Sequence, residues 1–192
     1  MHDVPYFDRF APLYDLLLPE TNPTPLENGL GLARGPIERV VDLGGGTGRA
    51  GRAIGAETVI FDASQPMLAQ ADSNGYPTLR GDVRSLPFPS NSVDALLSVD
   101  AIHHLPDVDR VLEEVGRVLR PGGVIVVRDF DPTTVRGRGL AFAEHLVGFE
   151  STFLSAGALA ETMDDVGLTA TELDGGFVYT IVGKNPDHRS SD

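Results

Sequence analysis

The run Val40-Val41-Asp42-Leu43-Gly44-Gly45-Gly46-Thr47-Gly48-Arg49 carries an apolar stretch into an acid and then into a cluster of glycines. Glycines let a backbone turn sharply and approach a ligand closely. Gly46-Thr47-Gly48-Arg49-Ala50-Gly51 also has the spacing of a dinucleotide fingerprint, so the glycines alone leave a nicotinamide-dependent oxidoreductase open. The position of Asp42 favours another ligand. It precedes the first glycine by two residues and falls at the tip of the strand, where a carboxylate repels a pyrophosphate and suits the ammonium group of an amino acid.

Two more acids follow at strand ends. Val59-Ile60-Phe61-Asp62 closes a second strand with a carboxylate able to accept both hydroxyls of a ribose. Ala63-Ser64-Gln65-Pro66-Met67-Leu68 then opens a helix, with Ser64 as its cap. Ala63 and Met67 join the candidate contacts, Met67 either against an adenine face or as core filler. In Leu79-Arg80-Gly81-Asp82-Val83, Asp82 is placed to accept an adenine amino group, with Val83 giving backbone contacts and apolar cover. A ligand with an amino-acid end, a ribose, an adenine and no phosphate is S-adenosylmethionine, and Gly44, Gly45 and Gly46 form the bed on which it would lie.

The fourth strand leads into Ser98-Val99-Asp100-Ala101-Ile102-His103-His104-Leu105, which should cross the methyl end of that ligand, with Val99 in contact. Methyl transfer from a sulfonium needs alignment above all. Where the acceptor must lose a proton, His103 and His104 are the candidate bases, since imidazole titrates near neutral pH. His145, on a helix expected over 135–149, is a weaker candidate for the same cavity. Neither His103-His104 nor Glu144-His145 has the spacing of a metal site, so no metal is expected. The Phe- and Leu-rich run 140–153 suits an aromatic or prenylated acceptor, or equally a core-packed helix.

These residues need a scaffold that brings strand ends together. Short β-rich apolar runs at 39–43, 58–61, 76–80, 93–99 and 123–128 alternate with helical segments, clearest over 108–119, where Val108, Val111, Leu112, Val115, Val118 and Leu119 share a stripe. Four strand–helix–strand repeats imply a doubly wound, Rossmann-like α/β fold, mostly parallel and seven-stranded, with helices on both faces. Residues 169–173 and 177–183 around Asp174-Gly175-Gly176 read as an antiparallel hairpin at one edge. Segments 19–25 and 185–192 read as loop and tail.

Composition bounds the rest. A chain of 192 residues fits one domain. There is no cysteine, which excludes disulfides and cysteine nucleophiles. A net charge of −13 disfavours nucleic acid, and Lys184 as the only lysine suits a cytoplasm rich in salt, where screening is strong. No apolar run approaches a membrane span and the first residues lack the regions of an export signal, so the expectation is a cytoplasmic protein acting on a small molecule.

The order of the signals, from Asp42-Leu43-Gly44-Gly45-Gly46-Thr47-Gly48 through Asp62-Ala63-Ser64, Gly81-Asp82-Val83 and Leu86-Pro87-Phe88 to Val118-Leu119-Arg120-Pro121-Gly122-Gly123, resembles the class I S-adenosylmethionine-dependent methyltransferases. The similarity is greatest to the small-molecule branch that includes the ubiquinone and menaquinone biosynthesis enzymes. It implies that Asp42, Gly44 and Gly46 surround the methionine moiety, that Asp62 binds the ribose, and that Asp82 and Val83 hold the adenine. Tyr6-Phe7-Asp8-Arg9-Phe10-Ala11-Pro12-Leu13-Tyr14-Asp15 is similar to that branch's N-terminal helix, which folds over the cofactor and would put Tyr14 near the sulfonium. The expected division is a helical lid at 1–34, a cofactor core at 35–130, acceptor-site helices and hairpin at 131–184, and a tail at 185–192. A protein that holds S-adenosylmethionine without transferring its methyl group fits the same residues.

Overall fold

A computed structural model describes residues 6–8, 21–149 and 151–186. Seven strands form one sheet in the order β3-β2-β1-β4-β5-β7-β6. They are β1 (Val40–Leu43), β2 (Thr58–Asp62), β3 (Thr78–Arg80), β4 (Val93–Val99), β5 (Leu119–Phe130), β6 (Thr169–Asp174) and β7 (Val178–Lys184). β1 to β5 run parallel to one another, whereas β7 lies antiparallel between β5 and β6. The expected architecture, including the antiparallel hairpin at one edge, is therefore the observed one.

The central strands are buried on both faces. All four residues of β1 are buried, and Ile60, Phe61, Leu96, Leu97, Val126 and Val127 are inaccessible to solvent. That is why they read as unbroken apolar runs and not as alternations. Among the described residues lie helices α1 (Pro23–Leu30), α2 (Arg49–Ala53), α3 (Gln65–Ser73), α4 (Val108–Val118), α5 (Val135–Val147) and α6 (Ala156–Asp165). The stripe on α4 buries Val111, Leu112, Val115 and Val118, each contributing roughly 1.5–3 kcal/mol relative to exposure.

Two expectations need correction. Segment 19–25 is not all loop: α1 starts at Pro23, where a missing N–H costs nothing, and the Asn22 side chain accepts from Thr24 N at 3.1 Å. This helix presses Gly29 onto the sheet, where a Cβ would stand 2.8 Å from Val126. The strand–helix–strand repeat also lapses once, because residues 81–92 between β3 and β4 contain no helix. Their backbone groups are satisfied by α4 instead. The Glu114 carboxylate accepts from Leu86 N (2.9 Å), and Arg117 donates to the carbonyls of Leu86 (3.0 Å) and Phe88 (2.9 Å).

The strand order reverses between β1 and β4, and ligands of open α/β sheets bind beyond the carboxyl ends of strands at such a point. Asp42 and the glycines leave β1 there, and Val99 leaves β4 beside them.

Candidate functional site

Asp42, Gly44, Gly45, Gly46, Arg49, Ala50 and Val99 line one cleft at this switch point. The loop has to be glycine for two reasons. A Cβ on Gly45 would meet the Asp42 carboxylate at 2.7 Å, and Gly44 holds φ at +67°, where side chains are strained. The loop therefore lies directly on the acid beneath it.

Asp42 is 1% exposed, and neither carboxylate oxygen has a hydrogen-bond partner. Burial pushes its pKa up to about 7, and the charge of Asp62 adds to the rise while Arg49 opposes it. A buried carboxylate without donors is costly, and a cation that brings donors of its own would relieve that cost. The amino-acid ammonium of S-adenosylmethionine meets that need. A diphosphate would not.

Asp62 ends β2 as expected. One oxygen accepts from Gly46 N (3.0 Å) and the other from Ser64 N (2.8 Å), which ties the acid to the glycine loop. Burial raises its pKa against the lowering effect of those N–H groups. With Ala63 N also donating to it, the carboxylate keeps accepting capacity that a ribose hydroxyl could use. Ser64 caps α3 by accepting from Met67 N (3.3 Å) and donates to Asp8 (2.6 Å), bringing the helical residues 6–8 beside Asp62. Ala63 is half-buried beside it.

The residues expected at the adenine are less tightly held. Asp82 is paired with Arg84, whose Nη2 lies 2.6 Å from Oδ2, and this guanidinium holds the carboxyl below the usual range. Val83 is buried among core residues. Met67 is 2% exposed, and its sulfur lies 3.9 Å from where a Cβ on Gly46 would stand, so it supports the loop from beneath. Tyr14 lies outside the described residues.

At the other end, His103 and His104 sit on a 3-10 turn, Ile102–His104, after β4. His103 is 3% exposed, with Nδ1 2.6 Å from Asp129 Oδ1 and its ring stacked on Phe153 at 4.4 Å. Burial alone would lower its pKa, but the hydrogen bond and charge of Asp129, with Glu144 and Asp100, hold it above the usual value. His104 contacts Phe7 and Phe149 edge-on or tilted at 4.9 and 5.2 Å. Its Nδ1 is 3.1 Å from Ser151 Oγ. On α5, His145 points outward, and it is Glu144 that faces the histidines, 3.8 Å from His103 Nε2. The same helix leaves Val135, Phe142 and Leu146 exposed, so a fully core-packed helix is not what forms.

Sequence reasoning did not single out Arg49, Asp100, Asp129 or Ser151 as site residues, and it weighed Glu144 only for metal spacing. Asp129 ends an apolar strand just as Asp42 and Asp62 do, and that signal was readable. Nothing in the spacing of Glu144 or Ser151 points to His103.

A mostly parallel seven-stranded sheet with this acid-and-glycine cleft at its switch point is the fold of the class I S-adenosylmethionine-dependent methyltransferases. Residues 41–127 match the family model described as a methyltransferase domain, and that match and the fold together imply S-adenosylmethionine as cofactor. The chain is 34% identical over 149 residues to a demethylmenaquinone methyltransferase of Mycobacterium sp. (strain KMS), covering 73% of this chain and 65% of that one. It is 36% identical over 124 residues to the demethylmenaquinone methyltransferase of Thermus thermophilus, covering 59% and 56%. It thus spans 65% and 56% of the length of these two curated relatives. Among solved structures, a SAM-dependent methyltransferase from Thermotoga maritima superposes with a TM-score of 0.80 at 24% identity, covering 96% of this chain and all of that one. A Haloferax volcanii methyltransferase, solved with the activator Trm112, gives 0.75 at 24% identity, covering 94% and 97%. Among the described residues no helix is long and apolar enough to cross a membrane.

Proposed function

We propose that the protein transfers the methyl group of S-adenosylmethionine to a small aromatic or lipid-like acceptor of the quinone type. The buried, donorless Asp42 carboxylate under the glycine loop carries this reading. Asp42 receives the ammonium group and Asp62 the ribose hydroxyls. Gly44, Gly45, Gly46 and Val99 line the methionine moiety, and Ala63, Met67, Asp82 and Val83 form the ribose and adenine end. The cofactor supplies an electrophilic methyl group on a sulfonium. The chain's task is to hold the acceptor in line and keep water away.

His103 and His104 act on the acceptor's hydroxyl. Phe7, Phe149 and Phe153 surround them with ring faces and edges suited to a flat aromatic acceptor. The demethylmenaquinone methyltransferases among the relatives support a quinol acceptor. In this reading residues 6–8 reach the cofactor side through Asp8, residues 35–130 hold the cofactor, and 131–184 shape the acceptor side.

Incubation with methyl-labelled S-adenosylmethionine and a reduced demethylated naphthoquinone, alongside a lipid extract, tests the proposal. Label in the quinol or in an extracted lipid is the expected result. Tight cofactor binding with no labelled product from either would leave a protein that only binds S-adenosylmethionine, and the proposal would be wrong.

A further inference from the structure

Helix α5 is packed inside out. At about 100° per residue, Val135, Gly139, Phe142 and Leu146 share one stripe, and Gly137, Leu140, Ala141 and Glu144 share the opposite one. A helix on a soluble core turns its apolar stripe inward. Here Val135, Phe142 and Leu146 are 88%, 69% and 75% exposed, with Val147 beside them at 61%. The inward stripe has Leu140 as its only large apolar side chain and carries Glu144, which faces His103. Large apolar side chains gathered on one exposed face mark an interaction surface.

The charges on that face run against the rest of the molecule. The chain as a whole carries −13, yet the exposed positions of α5 include Arg136, Arg138 and His145 and no acid. Neither arginine makes an ion pair among the described residues. Asp131, just ahead of the helix, turns its carboxylate back to Thr133, accepting from N at 2.7 Å and Oγ at 2.6 Å. Arginine lays its stem along apolar surface while its guanidinium reaches outward for an anion. Apolar side chains flanked by such cations compose a helix that lies in the plane of a bilayer interface.

A protein partner fits less well. The helix exposes nine residues, whereas a stable protein interface takes about 20–30 a side. A bilayer needs no matching surface.

We propose that α5 docks the protein reversibly on a membrane surface bearing anionic phospholipids. Val135, Phe142 and Leu146 enter the boundary between headgroups and acyl chains, and Arg136 and Arg138 meet headgroup phosphates. Thirteen residues span about 20 Å, so the helix lies on the bilayer and does not cross it. At roughly 0.15 M salt the Debye length is about 8 Å, so distant acids do not cancel two arginines held at the surface. The docking is independent of the acceptor's identity. It brings the histidine side, against which the other face of α5 packs, next to lipid.

The chain has no cysteine, so an environment-sensitive dye can be placed at Phe142→Cys alone. Asp72→Cys, exposed on α3 beside the β2–β3 edge of the sheet, is the control. Vesicles of equal parts phosphatidylcholine and phosphatidylglycerol should shift the first label to the blue and leave the second unchanged. The unlabelled chain should float with those vesicles and far less with pure phosphatidylcholine. Phe142→Ser with Leu146→Ser should cut binding at least tenfold, and Arg136→Gln with Arg138→Gln about fivefold for each charge. All four side chains are exposed, so thermal unfolding of both pairs should stay near that of the unsubstituted protein, which separates lost docking from lost folding. No binding to either vesicle, or equal binding by every variant, overturns the proposal. So does a blue-shifted Phe142→Cys label without vesicles: a shift that grows with protein concentration puts a second copy on this face, and one that does not puts the chain's own residues there.

Discussion

Arg49 and Asp100 close an ion pair across the switch point, with Nη2 2.5 Å from Oδ2 and side-chain exposures of 11% and 22%. The pair joins the start of α2 to the end of β4. Asp100 holds φ at +51° there and donates its N–H to the Arg128 carbonyl at 2.9 Å. A non-glycine residue in that conformation is strained, and the strain falls beside the cleft. Arg49 also lines the cleft and lowers the pKa of Asp42, so a cation held by one acid tunes another.

The first prediction concerns pH and the cofactor. The pKa of Asp42 in the free protein is about 7, and the ammonium requires the carboxylate, so binding below that pH must release a proton. Affinity for S-adenosylhomocysteine should fall roughly tenfold per unit as pH drops below 7 and level off above it. Calorimetry in two buffers of different ionisation enthalpy measures the released proton. Flat affinity between pH 5.5 and 8 would refute the assignment.

The same group sets a stability trend. Its folded pKa is raised, so its contribution is fully present below the unfolded value of 3.8 and is lost as pH climbs through about 7. Cofactor-free protein should lose up to about 4 kcal/mol from this one group. Denaturant titrations at pH 5 and 8, with and without S-adenosylhomocysteine, test this. The ligand should narrow the difference, since it supplies the missing counter-charge.

Removing the tuning cation should shift that profile. With Arg49→Gln the one group that opposes the rise of Asp42 is gone. The pH at which cofactor affinity declines should move upward, and an unmoved midpoint would show that the two residues are not coupled.

Asp62→Ala removes acceptors for Gly46 N and Ser64 N as well as for the ribose. Cofactor affinity should drop by roughly 1.5–3 kcal/mol, the range for hydrogen bonds to a charged group. Thermal unfolding should also shift down, because the glycine loop loses its tie to β2. Unchanged affinity would remove Asp62 from the site.

With 28 acidic residues against 15 basic ones, we also propose adaptation to high salt. The melting temperature should rise steadily between 0.1 and 2 M KCl, as screening relieves self-repulsion. A salt-independent melting temperature would reject it.

The cofactor half of the molecule was legible because its acids sit at the ends of apolar strands. The period of a buried parallel strand and a following glycine turn mark Asp42 and Asp62 without any knowledge of tertiary contacts. Even Asp129 obeys that rule at the end of β5. On the histidine side only His103 and His104 were legible, since Glu144 meets His103 only through the way α5 packs. Local propensity likewise hid α1, where Pro23 reads as a breaker yet serves as a first helical residue. The missing helix at 81–92 depends on side chains of α4 that lie more than twenty residues away.

A crystal structure grown with S-adenosylhomocysteine bears most directly on all of this. The ammonium group should lie within hydrogen-bond or single-water reach of Asp42 and both ribose hydroxyls on Asp62. An empty cleft at saturating ligand, or the amino-acid end turned away from Asp42, would contradict the assignment.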